Sequence, residues 1–317
     1  MFSVAFLLID DFALMSYSSA VEPLRAANLL SDESLYKISH VSSFSSYSKS
    51  SGGVEVSTIP INSITESFDL VIIVAGGDPF KFNDNKTFSW LRKISRQGTH
   101  LGGVSGGTVI LASAGLMNNR RMTVHWEHSE VFKEKWPTLI LERTLYVMDR
   151  DRMTCAGGIA PLDLMYAIIN EHHGEKFARK ISDWFMHTDV RPSGGPQRAG
   201  IVQRYNISNL SVVLAIEAME NHLSDTLNLE QLGQLVGLGP RQLNRLFVKY
   251  LNQSTMNFYK ELRMNLAKNL LLQSSLSITE ISFSTGFMSS SHFSQGFKMQ
   301  FGISPSSFRE KKLVNLQ

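Results

Sequence analysis

The sequence predicts an α/β domain built on a parallel sheet, followed by an all-α domain with two helix-turn-helix units. Continuous apolar runs, Val4–Ile9 and Leu70–Val74, are typical of parallel strands that are covered on both faces. Helical stretches separate these runs, and strand–helix alternation of this kind implies a layered α/β domain. An internal repeat in the last hundred residues predicts the two helix-turn-helix units.

Composition sets the limits of this interpretation. The chain has 317 residues, of which 43% are hydrophobic and 19% are charged, as expected of an ordinary globular protein with two domains. No apolar run approaches the roughly 18 residues that a membrane helix needs, so we expect no membrane association. A single cysteine, Cys155, excludes an internal disulfide and a cysteine-built zinc site, and it fits a reducing, cytoplasmic setting.

A helix-breaking stretch marks the best domain boundary. The segment Arg191–Gln197 reads RPSGGPQ, which no helix continues through. We therefore predict a first domain at 1–190, a linker at 191–209 and a second domain at 210–317. Residues 210–317 hold 10 Lys and Arg against 7 Asp and Glu, whereas residues 1–209 hold 21 of each. The whole positive excess lies in the second domain, but it is too small to explain DNA binding by charge alone.

The first domain is expected to form a flavodoxin-like parallel-sheet sandwich. A third short strand, Leu101–Val104, passes through Ser105, Gly106 and Gly107 directly into a helix at Thr108–Ala114. The Ser-rich stretch Ser39–Ser57 is interpreted as short strands and loops. The other predicted helices are Ala20–Leu30, Trp90–Gln97, Leu162–Glu171 and Phe177–Phe185.

The repeat in the second domain aligns residue by residue. The first copy spans Leu227–Leu251 and the second spans Ser277–Arg309, with an offset of 49 residues before the turn and 50 after it. One residue is therefore inserted in the second turn. The aligned pairs are Leu232 with Ile281, Gly237 with Gly286, Leu238 with Phe287, Leu243 with Phe293, Phe247 with Phe297, and Leu251 with Phe301.

Each copy has the residues that a helix-turn-helix needs. Gly237 and Gly286 allow the turn a positive φ. Pro240 stands where the second helix of the first copy would start, and Ser289 is a plausible N-cap in the second copy. A duplicated motif of this kind predicts binding to an extended site on double-stranded DNA, with each second helix in the major groove.

The outward residues of the two recognition helices differ in chemistry. Arginine can bond guanine, and asparagine or glutamine can bond adenine, whereas short uncharged side chains favour phosphate contacts. The first copy is therefore expected to contribute more to sequence choice. The predicted DNA-binding residues are Arg241, Gln242, Asn244 and Arg245 in the first copy, and Ser290, Ser291, His292 and Gln295 in the second.

The second domain resembles the AraC-type regulators. The resemblance covers about residues 210–311, and it implies seven helices, with a long helix at about Met256–Gln273 joining the two helix-turn-helix units. The residues on the family signature are Gly286, Phe287, Phe293, Phe297, Lys298, Gly302, Pro305, Phe308 and Arg309.

A possible nucleophile elbow lies in the first domain. Gly103–Gly107 matches a Gly-x-nucleophile-x-Gly turn between a strand and a helix, with Ser105 at its centre. His125 could serve as the base. Glu22, Glu127 or Asp163 could orient that base, so the residues alone leave a serine hydrolase or amidase open.

The first domain also resembles the class I glutamine amidotransferase-like (PfpI-like) domain that precedes the DNA-binding domain in one branch of AraC-type regulators. The catalytic relatives place cysteine at the elbow, where this chain has Ser105, and a glutamate shortly after the first strand, where Ala13–Ser16 has none. A serine without its base is a poor nucleophile. The resemblance therefore implies no catalytic residue, and we expect no metal and no cofactor. The matching pieces are Ala20–Asn28, Val74–Gly77, the elbow, Ala114–Leu116, Thr123–Trp126 and Thr154–Gly158 with Asp163.

The elbow is then expected to act as a ligand cup. Backbone N–H groups at Ser105, Gly106 and Gly107 would form an anion site. Trp126 and Glu127 suit a cationic or methylated ammonium group, and regulators of this branch respond to betaines, carnitine, choline derivatives or arginine. The predicted ligand-binding residues are Gly76, Gly77, Ser105, Gly106, His125, Trp126, Thr154 and Cys155.

Together these expectations describe a cytoplasmic, ligand-responsive activator of a small nitrogen-compound catabolic operon. It would bind DNA as a homodimer and engage RNA polymerase, with the ligand shifting the population of dimer geometries. Two alternatives stay open at this stage. One is an amidase or hydrolase that uses Ser105 with His125, and the other is a ligand-independent DNA-binding protein with a scaffold domain.

Overall fold

The computed structural model describes residues 1–274 and 276–314. The chain divides into two compact units, Met1–Gln197 and Arg198–Gln317, which are described separately as the N-terminal and C-terminal units. No helix within the described residues is long and apolar enough to cross a membrane.

A mostly parallel sheet organises the N-terminal unit. Within the described chain, seven strands follow the order β10-β11-β7-β6-β1-β2-β5, and every neighbouring pair is parallel except β10 with β11. A β3–β4 hairpin and a short β8–β9 pair lie outside this sheet. The strands are β1 (Phe2–Leu8), β2 (Tyr36–Ser42), β3 (Tyr47–Lys49), β4 (Glu55–Ser57), β5 (Ile59–Pro60), β6 (Leu70–Ala75), β7 (His100–Ser105), β8 (Arg121–Met122), β9 (Ile140–Leu141), β10 (Tyr146–Asp149) and β11 (Arg152–Cys155).

Helices cover both faces of the sheet. Alternate residues of β6 enter two separate cores: Ile72 and Val74 lie in one, and Ile73 and Ala75 in the other. All six residues of β6 are buried, because both faces of the strand are covered, and this accounts for its continuous apolar run. Each fully buried aliphatic side chain stabilises the fold by about 1.5–3 kcal/mol. The helices of this unit are α1 (Leu14–Leu30), α2 (Asn85–Arg96), α3 (Gly107–Ser113), α4 (Ser129–Lys135), α5 (Ala160–His173) and α6 (Glu175–Trp184).

The predicted α/β class and the predicted strands are confirmed, and two predicted helix starts are wrong. Helix α1 begins at Leu14, six residues before the predicted Ala20. Its N-cap residue, Ala13, makes no side-chain cap bond, so no capping signal marks this start in the sequence. Helix α2 begins at Asn85, five residues before the predicted Trp90, where the Asp84 carboxylate accepts from the N–H groups of Lys86 and Thr87.

The C-terminal unit is all-helical in its described part. The two helix-turn-helix motifs are α9–α10 and α12–α13, and α11 joins them as predicted. The seven predicted helices of the second domain correspond to α8–α14. The helices are α7 (Ile201–Tyr205), α8 (Leu210–Asn221), α9 (Leu229–Leu235), α10 (Pro240–Leu251), α11 (Thr255–Gln273), α12 (Ile278–Ser284), α13 (Ser290–Phe301) and α14 (Pro305–Val314).

The close approach of α3 to β6 generates the first prediction. A Cβ added at Gly107 would lie 2.0 Å from the backbone oxygen of Ile73, a distance that requires the strand and the helix to move apart. Gly107→Ala should therefore lower the free energy of unfolding by about 3 kcal/mol. Denaturant titration followed by tryptophan fluorescence measures this, because all four tryptophans lie in the N-terminal unit.

Gly115→Ala is the matched control for this substitution. Gly115 has a positive φ of 73°, but among the described residues no heavy atom lies within 4 Å of an added Cβ. Its cost should be the backbone strain alone, about 1 kcal/mol. Equal losses in the two variants would contradict the packing argument.

Candidate functional site

Ser105 lies at a strained turn at the carboxyl end of β7. Its φ is +56°, a value that non-glycine residues rarely adopt, and α3 begins two residues later. The neighbouring Gly157 has a φ of +109°, and a Cβ added there would lie 2.9 Å from the Ser105 Cβ. The turn therefore has the geometry of a nucleophile elbow, and Gly157 is glycine partly because the Ser105 side chain occupies the space beside it.

The other loops at this edge of the sheet pack closely around the elbow. A Cβ added at Gly76 would lie 2.3 Å from the backbone oxygen of Asp11, so the loops after β1 and β6 touch. The Gly158 N–H donates to the Ser16 hydroxyl at 2.8 Å, which joins the start of α1 to the loop after β11. Ligands of open α/β folds bind at this carboxyl edge. Sequence reasoning missed Ser16 because its role depends on a residue 142 positions away.

The expected backbone anion site needs a correction. The Gly106 N–H donates to the Ala75 backbone oxygen at 3.0 Å, so it closes the turn and is not free to bind an anion. Helix α3 is only seven residues long, which also limits its dipole. The structure therefore does not support an anion cup built on the N–H groups of Ser105, Gly106 and Gly107.

The contacts of His125 argue against a role as base. The Glu127 N–H donates to His125 Nδ1 at 3.3 Å, so the neutral ring carries its proton on Nε2. Burial lowers the pKa of His125, the nearby Glu127 carboxylate opposes that shift, and His128 adds to it. In the described chain no hydrogen bond joins His125 to Ser105. Nδ1 already accepts a hydrogen bond and Nε2 carries the proton, so neither nitrogen offers a free lone pair to the Ser105 hydroxyl.

Thr154 and Cys155 are fully buried in β11. The Thr123 N–H donates to the Thr154 hydroxyl at 2.9 Å, so this hydroxyl fastens the segment that carries His125 and Trp126 to the sheet. Burial raises the pKa of the Cys155 thiol to about 12. Both were predicted to line the ligand cup, but neither side chain is exposed in the structure.

Asp163 was a candidate orienter of His125, and the structure gives it other partners. Its carboxylate is completely buried at the start of α5. One oxygen accepts from His187 Nε2 and from the Arg191 backbone N–H, both at 2.8 Å. The other accepts from the Arg191 guanidinium at 3.0 and 2.6 Å. Asp163 therefore holds residues 187–191 against the start of α5, and its hydrogen bonds go to His187 and Arg191 rather than to His125.

Gln197 fixes the end of the same stretch. The two hydrogens of its amide nitrogen are shared among three acceptors, the Thr123 hydroxyl at 2.9 Å, the Val124 backbone oxygen at 3.0 Å and the Thr144 backbone oxygen at 2.6 Å. Residues 187–197, here called the anchored segment, are thus held at both ends. On the other side of the boundary, Arg204 in α7 pairs with Glu220 through two hydrogen bonds. Ordered contacts therefore occupy both ends of the predicted linker 191–209, whose boundaries stay a prediction.

The two helix-turn-helix motifs repeat each other in backbone detail. The turn glycines Gly237 and Gly286 have φ values of 69° and 72°. In each turn the following N–H donates back into the first helix, from Leu238 to Gly233 at 2.9 Å and from Phe287 to Ser282 at 2.8 Å. Pro240 opens α10, and the Ser289 hydroxyl accepts from the His292 N–H at 3.2 Å, so both predicted helix starts are confirmed.

Most of the predicted DNA-binding side chains share one exposed face on each recognition helix. Within the part of the chain that the structure describes, neither Arg241 nor Arg245 forms an ion pair that would compete with a phosphate or a base. Ser290 is half-buried at the first position of α13. The exposed residues are Arg241, Gln242 and Arg245 on α10, with Ser291, His292 and Gln295 at the equivalent positions of α13.

Asn244 departs from the prediction. Its side-chain oxygen accepts from the Thr255 N–H at 3.0 Å, which fastens α10 to the start of α11. A two-bond contact with adenine needs both the oxygen and the nitrogen of the amide. Asn244 therefore cannot make that contact in this conformation.

Comparison with known proteins finds relatives for both units. Residues 2–171 match the DJ-1/PfpI family, and residues 232–311 match a family described as a helix-turn-helix domain. The HTH-type transcriptional regulator GlxA of Rhizobium meliloti is 41% identical over 309 residues, which are 97% of this chain and 95% of the relative. The regulator CdhR of Pseudomonas aeruginosa is 38% identical over 304 residues, 96% of this chain and 90% of the relative.

A solved structure agrees with the fold of part of the chain. The crystal structure of an AraC family transcriptional regulator from Pseudomonas putida aligns with a TM-score of 0.53 at 22% identity. The alignment covers 58% of this chain and 100% of that chain. At this identity the likeness supports the fold alone.

The different positions of Arg245 and Asn244 generate the second prediction. Arg245→Ala should weaken binding to a DNA duplex selected by the wild-type protein by about 1–3 kcal/mol, because it removes an exposed arginine from the recognition face. Asn244→Ala should instead lower the free energy of unfolding of the C-terminal unit by about 1 kcal/mol, because it removes the hydrogen bond to Thr255. Binding titrations and thermal unfolding of both variants measure the two effects. A stable Asn244→Ala variant with a base-specific binding defect would contradict this assignment.

Proposed function

This chain belongs to the helix-turn-helix transcriptional regulators that combine a DJ-1/PfpI domain with an AraC-type DNA-binding domain, and from that membership we propose that its N-terminal unit senses a small molecule. The C-terminal unit binds DNA sequence-specifically. The observation that carries the DNA-binding role is the second helix-turn-helix motif, which repeats the backbone and the exposed face of the first.

We propose that the elbow performs no catalysis. Three features support this. Ser105 replaces the catalytic cysteine of the related enzymes, His125 accepts at Nδ1 from Glu127, and the Asp163 carboxylate is committed to Arg191 and His187. A hydrolase would need a base with a free lone pair and a carboxylate that orients it.

A cationic nitrogen compound is the proposed effector. Trp126 is 37% exposed, and the side chain of the adjacent Glu127 is 46% exposed. An aromatic face beside a carboxylate attracts an ammonium group through the ring quadrupole and the negative charge. The lowered pKa of His125 favours its neutral form at pH 7, so the ring adds no positive charge that would repel such a ligand.

The effector hypothesis is tested by a thermal-shift screen of the full-length protein. The panel contains glycine betaine, carnitine, choline and arginine, with glucose and acetate as uncharged and anionic comparisons. A compound at about 100 times its dissociation constant should stabilise the unit that binds it by roughly 2.7 kcal/mol. Trp126→Ala should abolish this shift. Trp184→Ala should not, although Trp184 is also an exposed tryptophan of the N-terminal unit.

If none of the four nitrogen compounds stabilises the folded protein, the proposed ammonium-containing effector is excluded. A response that Trp126→Ala and Trp184→Ala reduce equally would place the ligand elsewhere.

We propose that the anchored segment carries the ligand state towards the C-terminal unit. Gln197 bonds to Thr123 and Val124, which immediately precede His125, and Arg191 bonds to Asp163. A ligand at His125 and Trp126 would therefore act on the same short segment that holds the end of the N-terminal unit. The ligand shifts the population between a held and a released form of the anchored segment. That shift changes the geometry of the homodimer on DNA in the cytoplasm, and with it the contact with RNA polymerase.

The role of the anchored segment is tested by the coupling between effector and DNA. In the wild-type protein the effector found by the screen should change DNA affinity by about fivefold or more. Arg191→Gln and Gln197→Ala should keep the thermal shift but reduce this change to below about twofold. Arg179→Gln is the control, because Arg179 lies in an exposed pair with Glu175. Full coupling in both segment variants would exclude this route.

A further inference from the structure

The turns of the two helix-turn-helix motifs have the same backbone but different surroundings. A Cβ added at Gly237 would meet no heavy atom within 4 Å among the described residues. A Cβ added at Gly286 would lie 2.5 Å from Thr226 Cγ2 and 3.0 Å from the backbone oxygens of Leu223 and Ser224. The turn of the second motif therefore packs directly on the α8–α9 connection (residues 222–228), which leads into the first motif.

Arg263 in the middle of α11 holds this turn. Its guanidinium donates to the Gly286 backbone oxygen at 2.8 Å and to the Thr285 backbone oxygen at 3.4 Å. The same group lies 4.4 Å from the centre of the Phe287 ring, a distance typical of a cation–π contact. A charged donor on the carbonyls of a turn fixes the turn more firmly than a neutral one would.

Tyr259, one helical turn before Arg263, holds the other side of the contact. Its hydroxyl donates to the His222 backbone oxygen and accepts from the Leu227 N–H at 3.4 Å. The Arg263 guanidinium lies 5.6 Å from the Tyr259 ring centre. Two neighbouring side chains of α11 therefore fasten the α8–α9 connection and the second turn, and Gly286 lets the two touch.

We propose that Arg263 is a positioning residue that fixes the spacing and rotation of α13 relative to α10, so that the two recognition helices bind DNA as one rigid body. The proposal rests on the DNA-binding role of the C-terminal unit. Rigid placement matters most for α13, because the exposed face that corresponds to Arg241, Gln242 and Arg245 of α10 carries Ser291, His292 and Gln295 and no arginine or lysine.

The test measures how DNA binding depends on the spacing within the site. The probe is a duplex selected from a random library by the wild-type, full-length protein, together with derivatives that carry one extra base pair at each successive step. One inserted base pair shifts the two halves by about 3.4 Å and rotates them by about 35°. A rigid protein should lose roughly tenfold or more in affinity when the insertion separates the segments bound by α10 and α13.

Arg263→Met and Gly286→Ala should bind the uninterrupted duplex roughly tenfold more weakly but lose less than about threefold on insertion. Gly237→Ala is the matched control, because it has the same positive φ without the close contact, and it should keep the full insertion penalty. In the double variant Gly286→Ala with Thr226→Ser, the nearest clashing atom, Thr226 Cγ2, is absent. This double variant should recover part of the affinity loss that the inserted base pair causes in the wild-type protein.

Thermal unfolding of each variant separates loss of position from loss of fold. If Gly286→Ala or Arg263→Met is unfolded, Arg263→Lys takes its place, since lysine keeps the charge and loses the planar group that stacks on Phe287. Wild-type affinity in the folded variants would overturn the proposal. So would weaker binding with the full insertion penalty retained, because that result indicates a structural role alone, and so would loss of the penalty in Gly237→Ala.

Discussion

The hydrogen bonds of the buried Asp163 carboxylate are the constraint that places the chain leaving the N-terminal unit. A buried charge without partners costs several kcal/mol, so the chain must bring donors to it. The donors are Arg191 and His187, both of which follow the last helix of the N-terminal unit. The Asp163 carboxylate thereby holds the chain that leads out of the N-terminal unit.

Local signals account for what the sequence predicted well. The continuous apolar run of β6 reflects burial on both faces, and the elbow was recognisable because a serine between glycines follows a strand. In the C-terminal unit, Pro240 and Ser289 act through their own helix starts, so their roles could be read from the adjacent residues. Each of these signals involves residues within one turn of each other, where propensity and covalent geometry decide the outcome.

The corrections at Asn244 and Gly106 involve contacts between residues that are far apart in the sequence. The oxygen of Asn244 is taken by Thr255, which belongs to the next helix, and the N–H of Gly106 is taken by Ala75, which belongs to another strand. Neither partner could be identified from spacing. The partners of Asp163 and Arg263 were hidden for the same reason. Hydrogen-bonding residue types can be found in a sequence, but whether their capacity remains free for a ligand or for DNA depends on the tertiary structure.

Cys155 has a practical consequence for studying this protein. It is the only cysteine in the chain, it is fully buried, and burial raises the pKa of its thiol to about 12. Thiol reagents react with the thiolate, so the folded chain presents almost none of the reactive form. A cysteine introduced on the surface can thus be labelled alone with a fluorophore or a spin label. Slow modification of the native thiol would in turn report how often β11 separates from its neighbours, which makes the chain its own probe of sheet opening.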